Sequence, residues 1–324
     1  MDQNRFASSI TARLKHAVDL IGAPIDIGAQ SRGCSMAPEA LRIAGIRQRL
    51  EGLGLVVSDK GNLRGPHPLA RSENQGYQHL MDVAEWCEMV RGAVVISLQN
   101  GKFPVVLGGD HSLAIGSVCG VAKVCQEKEM PLSVLWLDAH ADFNTAETSS
   151  SGNIHGMPVA VLANRGAPEL IRLGHKAPVI DTSNLFQVGI RSIDLLEREA
   201  VIDEGIAIFD MRCIDERGMH AVMKEVLSSI KGIGGHLHVS FDVDFLDPTI
   251  APGVGTPVPG GTNYREAQLC MEMIYDSGMA GSLDIVELNP TLDTKNATAE
   301  VVVDLVASLF GEQILARGRT PKNA

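Results

Sequence analysis

The chain predicts an α/β fold: a single domain on one doubly wound, mostly parallel sheet with helices on both faces. Three observations carry that expectation. Short runs rich in Val, Ile and Leu alternate with longer amphipathic stretches along nearly the whole length, the pattern of strand–helix–strand crossovers. The short runs are apolar throughout rather than at every second residue, as in strands covered on both faces. No repeat, low-complexity tract or linker interrupts the alternation, and crossovers of one hand then leave one sheet.

The elements follow in order. Residues 17–22 read as a strand, and 38–50 as a helix with Pro38 in its first turn, where a missing N–H costs nothing. Between them runs a loop containing Arg32 and Gly33. A second strand falls at 55–57, a Gly-, Pro- and Asn-rich loop at 60–75, and a long amphipathic helix at 77–100. The strand at 103–107 runs into Gly108-Gly109-Asp110-His111-Ser112, and a helix follows to about residue 129. The strand at 132–137 leads into a long loop ending at Gly156, with a helix from about Pro158. Further strands lie at 185–190, 206–209, 236–241 and 282–286, with helices at 216–230, 263–277 and 297–316. Residues 1–16 read as an N-terminal extension, 17–317 as the one folded domain and 318–324 as a flexible tail.

Of the 324 residues, 45% are hydrophobic, enough to bury the core of one large domain. A formal charge of −11 with no basic cluster argues against a nucleic-acid partner. No apolar run reaches the ~18–20 residues of a membrane span, and residues 1–16 lack the apolar core of a secretory signal. Six cysteines without CxxC spacing read as free thiols in a reducing cytoplasm.

One regularity locates function. His111, Asp138, His140, Asp142, Asp194, Asp242, Asp244 and Glu287 each follow the carboxyl end of an expected strand, the edge where open α/β sheets bind ligands. If the chain stays extended past Leu137, Asp138, His140 and Asp142 point to one side. Four carboxylates, Asp138, Asp142, Asp242 and Asp244, would raise one another's pKa values if left bare, whereas two divalent cations would balance them. His111 and His140 add nitrogen donors, and an oxygen-rich set with one imidazole per ion suits Mn²⁺. The motifs hold no thiolate for a structural zinc. A single strand-end Asp is usually a turn or cap, and Asp247 before Pro248 reads so. His236 and His238, inside a strand, read as structural. The joint occurrence of DxHxD, GGDH and DxD on different strands reads as a metal centre.

Gly108-Gly-Asp-His111-Ser, Asp138-Ala-His-Ala-Asp142 and Ser240-Phe-Asp-Val-Asp244-x-Leu-Asp-Pro248 closely resemble the three signatures of the ureohydrolases, the arginase and agmatinase family. The resemblance runs from about Leu20 to Leu315. It implies an Mn²⁺-dependent hydrolase with two Mn²⁺ per subunit, which turns L-arginine into L-ornithine and urea. One ion would be held by His111, Asp138, Asp142 and Asp242, the other by Asp138, His140, Asp242 and Asp244. Glu287 resembles the carboxylate that pairs with the substrate guanidinium, Asp142 the group that protonates the leaving amine, and His155 a proton relay. Asn144, Ser151 and Asn153 match residues that contact the α-carboxylate, and Asp194 with Glu197 the acidic pair around the α-amino group. Arg32 matches a pocket arginine, and Thr256 a residue beside the metals. A homo-oligomer, trimer or hexamer, is the family expectation. Two departures stand out: Phe245 where a Gly is usual and Ser192 where an acidic residue is common. The alternatives are agmatinase or another guanidino-acid ureohydrolase with the same two-metal centre, a one-zinc amidohydrolase on a related sheet, and an inactive sensor relative. The Asn144, Ser151, Asn153 and Asp194 set favours arginine, and the presence of all six ligands argues against the inactive relative.

Overall fold

A computed structural model describes residues 17–67, 72–174 and 178–315. The described elements are β1 (Ala17–Gly22), α1 (Ala37–Ile43), α2 (Ile46–Gly52), β2 (Val56–Asn62) and the small hairpin β3 (Glu73–Asn74) with β4 (Tyr77–Gln78). Then come α3 (Leu80–Gln99), β5 (Phe103–Leu107), α4 (Leu113–Glu127), β6 (Leu132–Leu137), α5 (Pro158–Leu162) and α6 (Pro168–Ile171). The second half adds β7 (Leu185–Ile190), α7 (Leu195–Glu204), β8 (Ala207–Asp210), α8 (Met211–Arg217), α9 (Met219–Ile233) and β9 (His236–Asp242). It closes with α10 (Tyr264–Ser277), β10 (Ala280–Val286) and α11 (Ala297–Leu309).

Eight strands form one sheet in the order β2-β1-β5-β10-β9-β6-β7-β8. Every neighbouring pair is parallel. The central strands β5, β9 and β10 are buried along their full length, because helices cover both faces and every residue of these strands meets one layer or the other. On one face the apolar side chains of α1, α2 and α8–α11 pack in a layer with Leu41, Met223, Met271 and Val302. On the other, α3–α6 pack with Trp86, Val118 and Val159. The order of connections reverses around β5, β10, β9 and β6, which makes their carboxyl ends the topological switch point.

Several boundaries differ from the sequence reading. The helix expected at 38–50 is two helices, because Gly45 takes a left-handed conformation (φ 85°) between α1 and α2. The helix expected at 216–230 begins earlier and is likewise split, by Gly218 at φ 78°. Asp210 caps the front of α8, its carboxylate accepting from Cys213 N at 2.7 Å. β2 continues through Asn62 into what reads as loop, paired to β1 along the sheet edge. The helix expected from 77 starts at Leu80, after left-handed turns at Gly76 and His79. The last helix stops at Leu309, with Gly311 left-handed just beyond. α7 is a helix that the apolar periodicity did not reveal. Its signal lay in Asp194-x-x-Glu197, a capping box. The expected N-terminal extension and C-terminal tail lie outside the described residues.

Helices α3 and α4 approach closely enough that a Cβ on Gly116 would sit 2.2 Å from the Cys87 carbonyl oxygen. Gly116→Ala is expected to destabilise the protein by about 1–3 kcal/mol, the usual penalty of overpacking. A thermal or urea melt equal to that of the wild type would show that the helix pair yields at no cost.

Candidate metal centre and active site

The polar residues that follow β5, β6, β9 and β10 meet at the switch point. β6 does not run on as an extended strand, contrary to the sequence reading. Asp138 Oδ1 accepts from His140 N at 2.7 Å, a local turn that ends the strand. Asp142 then takes a left-handed conformation, φ 52°. Convergence of Asp138, His140 and Asp142 is therefore made by turns. His111 Nδ1 lies 3.1 Å from Asp138 Oδ2, 3.0 Å from Asp142 Oδ2 and 3.0 Å from Asp242 Oδ2. His140 Nδ1 lies 3.0 Å from Asp244 Oδ2 and 3.6 Å from Asp138 Oδ1. Two sets of donors, His111 with Asp138 and Asp142, and Asp138 with His140 and Asp244, are each close enough to hold a metal ion.

The chemistry of these donors fits a cation. Asp138, Asp142, Asp242 and Asp244 are at most 5% exposed. Burial, then the Asp138 charge, pushes Asp142 up to about 6. Burial and the charges of Asp244 and Asp138 raise Asp242 well above the carboxylate range. Burial also acts on the imidazoles, in the lowering direction, but the neighbouring carboxylates outweigh it. They raise His111 well above its ordinary value and push His140 up to about 12. Asp138, facing both imidazoles, is instead held below the usual range against its burial; two acids pushed toward protonation and two imidazoles toward charge mark a site short of positive charge. His111 Nδ1 and Asp142 Oδ2 are buried without a hydrogen-bond partner, although oxygens surround the nitrogen. Atoms placed so are satisfied by one centre that all can face, as metal ligands are.

Residues given no role in the sequence reading, Ser240 and Trp136, help to hold these donors. His111 Nε2 sits 2.9 Å from Ser240 Oγ, and its ring stacks on Trp136, centroids 4.2 Å apart. Trp136 Nε1 donates to Asp138 Oδ2 at 2.9 Å. Asp244 Oδ1 accepts from Ala139 N at 3.0 Å, and Asp242 Oδ1 accepts from Asp244 N at 2.8 Å. The available signal was strand alternation: Ser240 lies on the same face of β9 as Asp242, and Trp136 on the same face of β6 as Asp138.

A cleft of about 120 Å³ opens above the cluster, lined by His111, His140, Asp142, Asn144, His155, Ser192, Asp194, Glu197, Asp242, Thr256 and Glu287 among others. Glu287 is buried, with φ 64°. Its Oε1 accepts from His111 N at 2.7 Å and lies 3.0 Å from His155 Nδ1, and its Oε2 accepts from Cys34 Sγ at 3.6 Å. Burial would raise Glu287, but the His155 charge holds it below the usual range; the same pairing, against burial, pushes His155 up to about 9. Thr256 Oγ1 donates to Asp244 Oδ2 at 3.2 Å.

The other expected residues are placed differently. Ser151 is exposed and accepts from Asn153 N at 3.2 Å, while Asn153 is buried at the head of a short helical turn. Neither is among the residues lining the cleft. Arg32 also lies outside that lining and is ion-paired to Asp26. Glu197 is buried and bonded to backbone. Phe245 packs in the core, edge-on to Phe241 and against Gly189, where a smaller residue would leave a void. Ser192 lines the cleft and bridges to His140 through the backbone. Asp247 is a turn cap, its carboxylate accepting from Thr249, Gly260 and Gly261 N. His236 and His238 both contact Ser282 inside the sheet.

An all-parallel sheet with a carboxylate and imidazole cluster at its switch point defines an α/β protein with a built metal site. The Arginase family profile matches residues 16–311, so the chain belongs to the arginase family. A protein named Arginase from Brucella melitensis is 46% identical over 300 residues, 92% of this chain and 97% of its own. The crystal structure of arginase from Bacillus subtilis at 1.7 Å has a TM-score of 0.87 at 42% identity, covering 92% of this chain and all of that one. The native structure of arginase from Bacillus caldovelox gives 0.88 at 43%, covering 93% and 100%.

Ser240→Ala removes the hydroxyl that faces His111 Nε2. Loss of such an outer partner is expected to weaken divalent-cation binding about 10–100-fold, measured by competition with a chelator. Unchanged affinity would mean that Trp136 alone orients the ring.

Proposed function

We propose that the chain hydrolyses the guanidinium group of L-arginine to L-ornithine and urea, with residues 17–317 as the catalytic unit. The observation that carries this reading is the pairing of a carboxylate cluster fit for two cations with a buried, ionised Glu287 on the wall of the same cleft. The ions would be Mn²⁺, one held by His111, Asp138, Asp142 and Asp242, the other by Asp138, His140, Asp242 and Asp244. Ions held there would lower the pKa of a coordinated water from ~16 toward ~7 and so supply a nucleophile at neutral pH.

The chain's own residues do the rest. Glu287, its orientation fixed by the His111 amide, His155 and Cys34, presents a fixed negative charge that binds and aims the guanidinium. Asp142, in the cleft lining beside His111, would take up the proton that the attacking water gives up and pass it to the leaving amine. His155 lies between Glu287 and solvent, with an 18% exposed side chain, and relays protons in both directions. Asn144 and Asp194, both in the lining, face the amino-acid end of the substrate. Thr256 steadies Asp244. Ser151 and Asn153 belong to the amino-acid end of the site in the same reading, as do Arg32, paired with Asp26, and Glu197, which lines the cleft. No helix among the described residues is long and apolar enough to cross a membrane, and all six cysteines are free, which supports a cytoplasmic setting. A trimer or hexamer belongs to the same reading and is checked by sedimentation.

The deciding experiment is urea release by Mn²⁺-loaded protein, with L-arginine and agmatine in parallel. Release from arginine far above agmatine is the expected result. Equal rates would move the assignment to a broader ureohydrolase, and none from either would remove it. His155→Ala is expected to lower kcat roughly 10²–10⁴-fold with metal content unchanged, read by elemental analysis beside the urea assay; full activity would take His155 out of the proton path.

A further inference from the structure

Glu197 lines the cleft, yet both of its carboxylate oxygens are also engaged with backbone amides. One of its oxygens, Oε1, accepts from Phe143 N at 2.8 Å, and the other, Oε2, accepts from Asp194 N at 3.2 Å. The residue is only 3% exposed. An N3 glutamate in a capping box ordinarily closes back on its own helix and leaves the other oxygen to water. Here the second oxygen reaches across the cleft floor to the loop that carries Asp142.

The bond falls at a sensitive point. Asp142 holds a left-handed backbone conformation, which a non-glycine residue keeps only where its surroundings impose it. The Phe143 amide belongs to the peptide just after that residue, so its acceptor holds one edge of a planar unit whose other edge is the Asp142 carbonyl. The loop is gripped elsewhere by Gln187 Nε2, which donates to the Ala141 carbonyl at 2.7 Å, and by Val159 N, which donates to the Asp142 carbonyl at 3.0 Å. Those bonds fix the carbonyls on either side. Glu197 fixes the following N–H, and its other oxygen ties that peptide to the start of α7, where Asp194 stands on the cleft wall.

We propose that Glu197 is a positioning residue that holds the Asp142 turn in register with Asp194, coupling the wall at the amino-acid end of the substrate to the metal centre. The proposal rests on the arginine reading for its substrate and not for its geometry. Glutamine in its place keeps the size, but its carbonyl oxygen can accept from only one of the two N–H groups, and its NH₂ faces the other.

The test compares wild type with Glu197→Gln in three measurements: Mn²⁺ titration followed by the electron paramagnetic resonance of free ion, kcat and KM for arginine, and a thermal melt. The expected result is Mn²⁺ affinity weaker by about 10–100-fold and kcat lower by a similar factor, as for lost outer partners of metal ligands. A rise confined to KM, with Mn²⁺ affinity unchanged, would overturn the proposal in favour of direct contact with the substrate amino group. A lower melting temperature with both other readings unchanged would reduce Glu197 to a helix cap. Should Glu197→Gln not fold, Glu197→Asp serves, because a carboxylate one methylene shorter cannot span both amides. If the wild type hydrolyses no arginine, the arginine reading fails while the Mn²⁺ titration still decides this one.

Discussion

Burying Asp138, Asp142, Asp242 and Asp244 side by side is unfavourable twice over, since each carboxylate loses its water and each repels the others. The molecule is arranged around that cost. The carboxylates are drawn from turns at the ends of β6 and β9, where backbone amides point at them. Two imidazoles are wedged among them, and a further carboxylate, Glu287, is kept apart by pairing with His155. What remains is a concentration of negative charge that cations would neutralise, and this makes the cluster a metal site instead of a flaw in the core.

The sheet makes such an arrangement possible. Parallel strands buried on both faces form a rigid floor, and side chains just beyond their ends gain precision from it without being locked into the ladder. The same floor supplies the orienting partners: Ser240 and Trp136 belong to the strands themselves, one or two residues below the rim. In the proposed reading the substrate's far end meets Asn144 and the start of α7, which line the cleft beside the rim. Rigid chemistry below and adjustable walls above are the division of labour expected of a scaffold whose loops carry specificity.

Much of this was legible in the sequence, for reasons that also explain what was not. Uniformly apolar runs marked the strands, and acidic residues after each run marked the rim, so the fold class and the cluster followed from order alone. The geometry of Asp138 to Asp142 did not follow. Alternation predicted an extended arm, whereas the Asp138 carboxylate captures the His140 amide and bends the chain at once. Gly45 and Gly218 broke expected helices because apolar period carries no record of the sign of φ. Arg32 was matched to a pocket arginine by resemblance, and no local pattern announced its pair with Asp26. Glu197 was assigned by its proximity to Asp194. Its bond to Phe143 joins segments that no local pattern connects.

The strand order has a consequence for how the protein is made. β5, β10, β9 and β6 lie side by side, yet β5 and β10 are separated along the chain by most of the domain. Parallel pairing of this kind is non-local, and its loop-closure entropy is spent before the contacts that offset it can form. A cation therefore finds few converging ligands on a partly folded chain, and none of the short motifs offers it a full shell. It cannot seed the fold in the way zinc seeds a small finger. Any stabilisation it brings acts by mass action on the finished topology, favouring the native chain over the unfolded one only once the sheet has brought the ligands together.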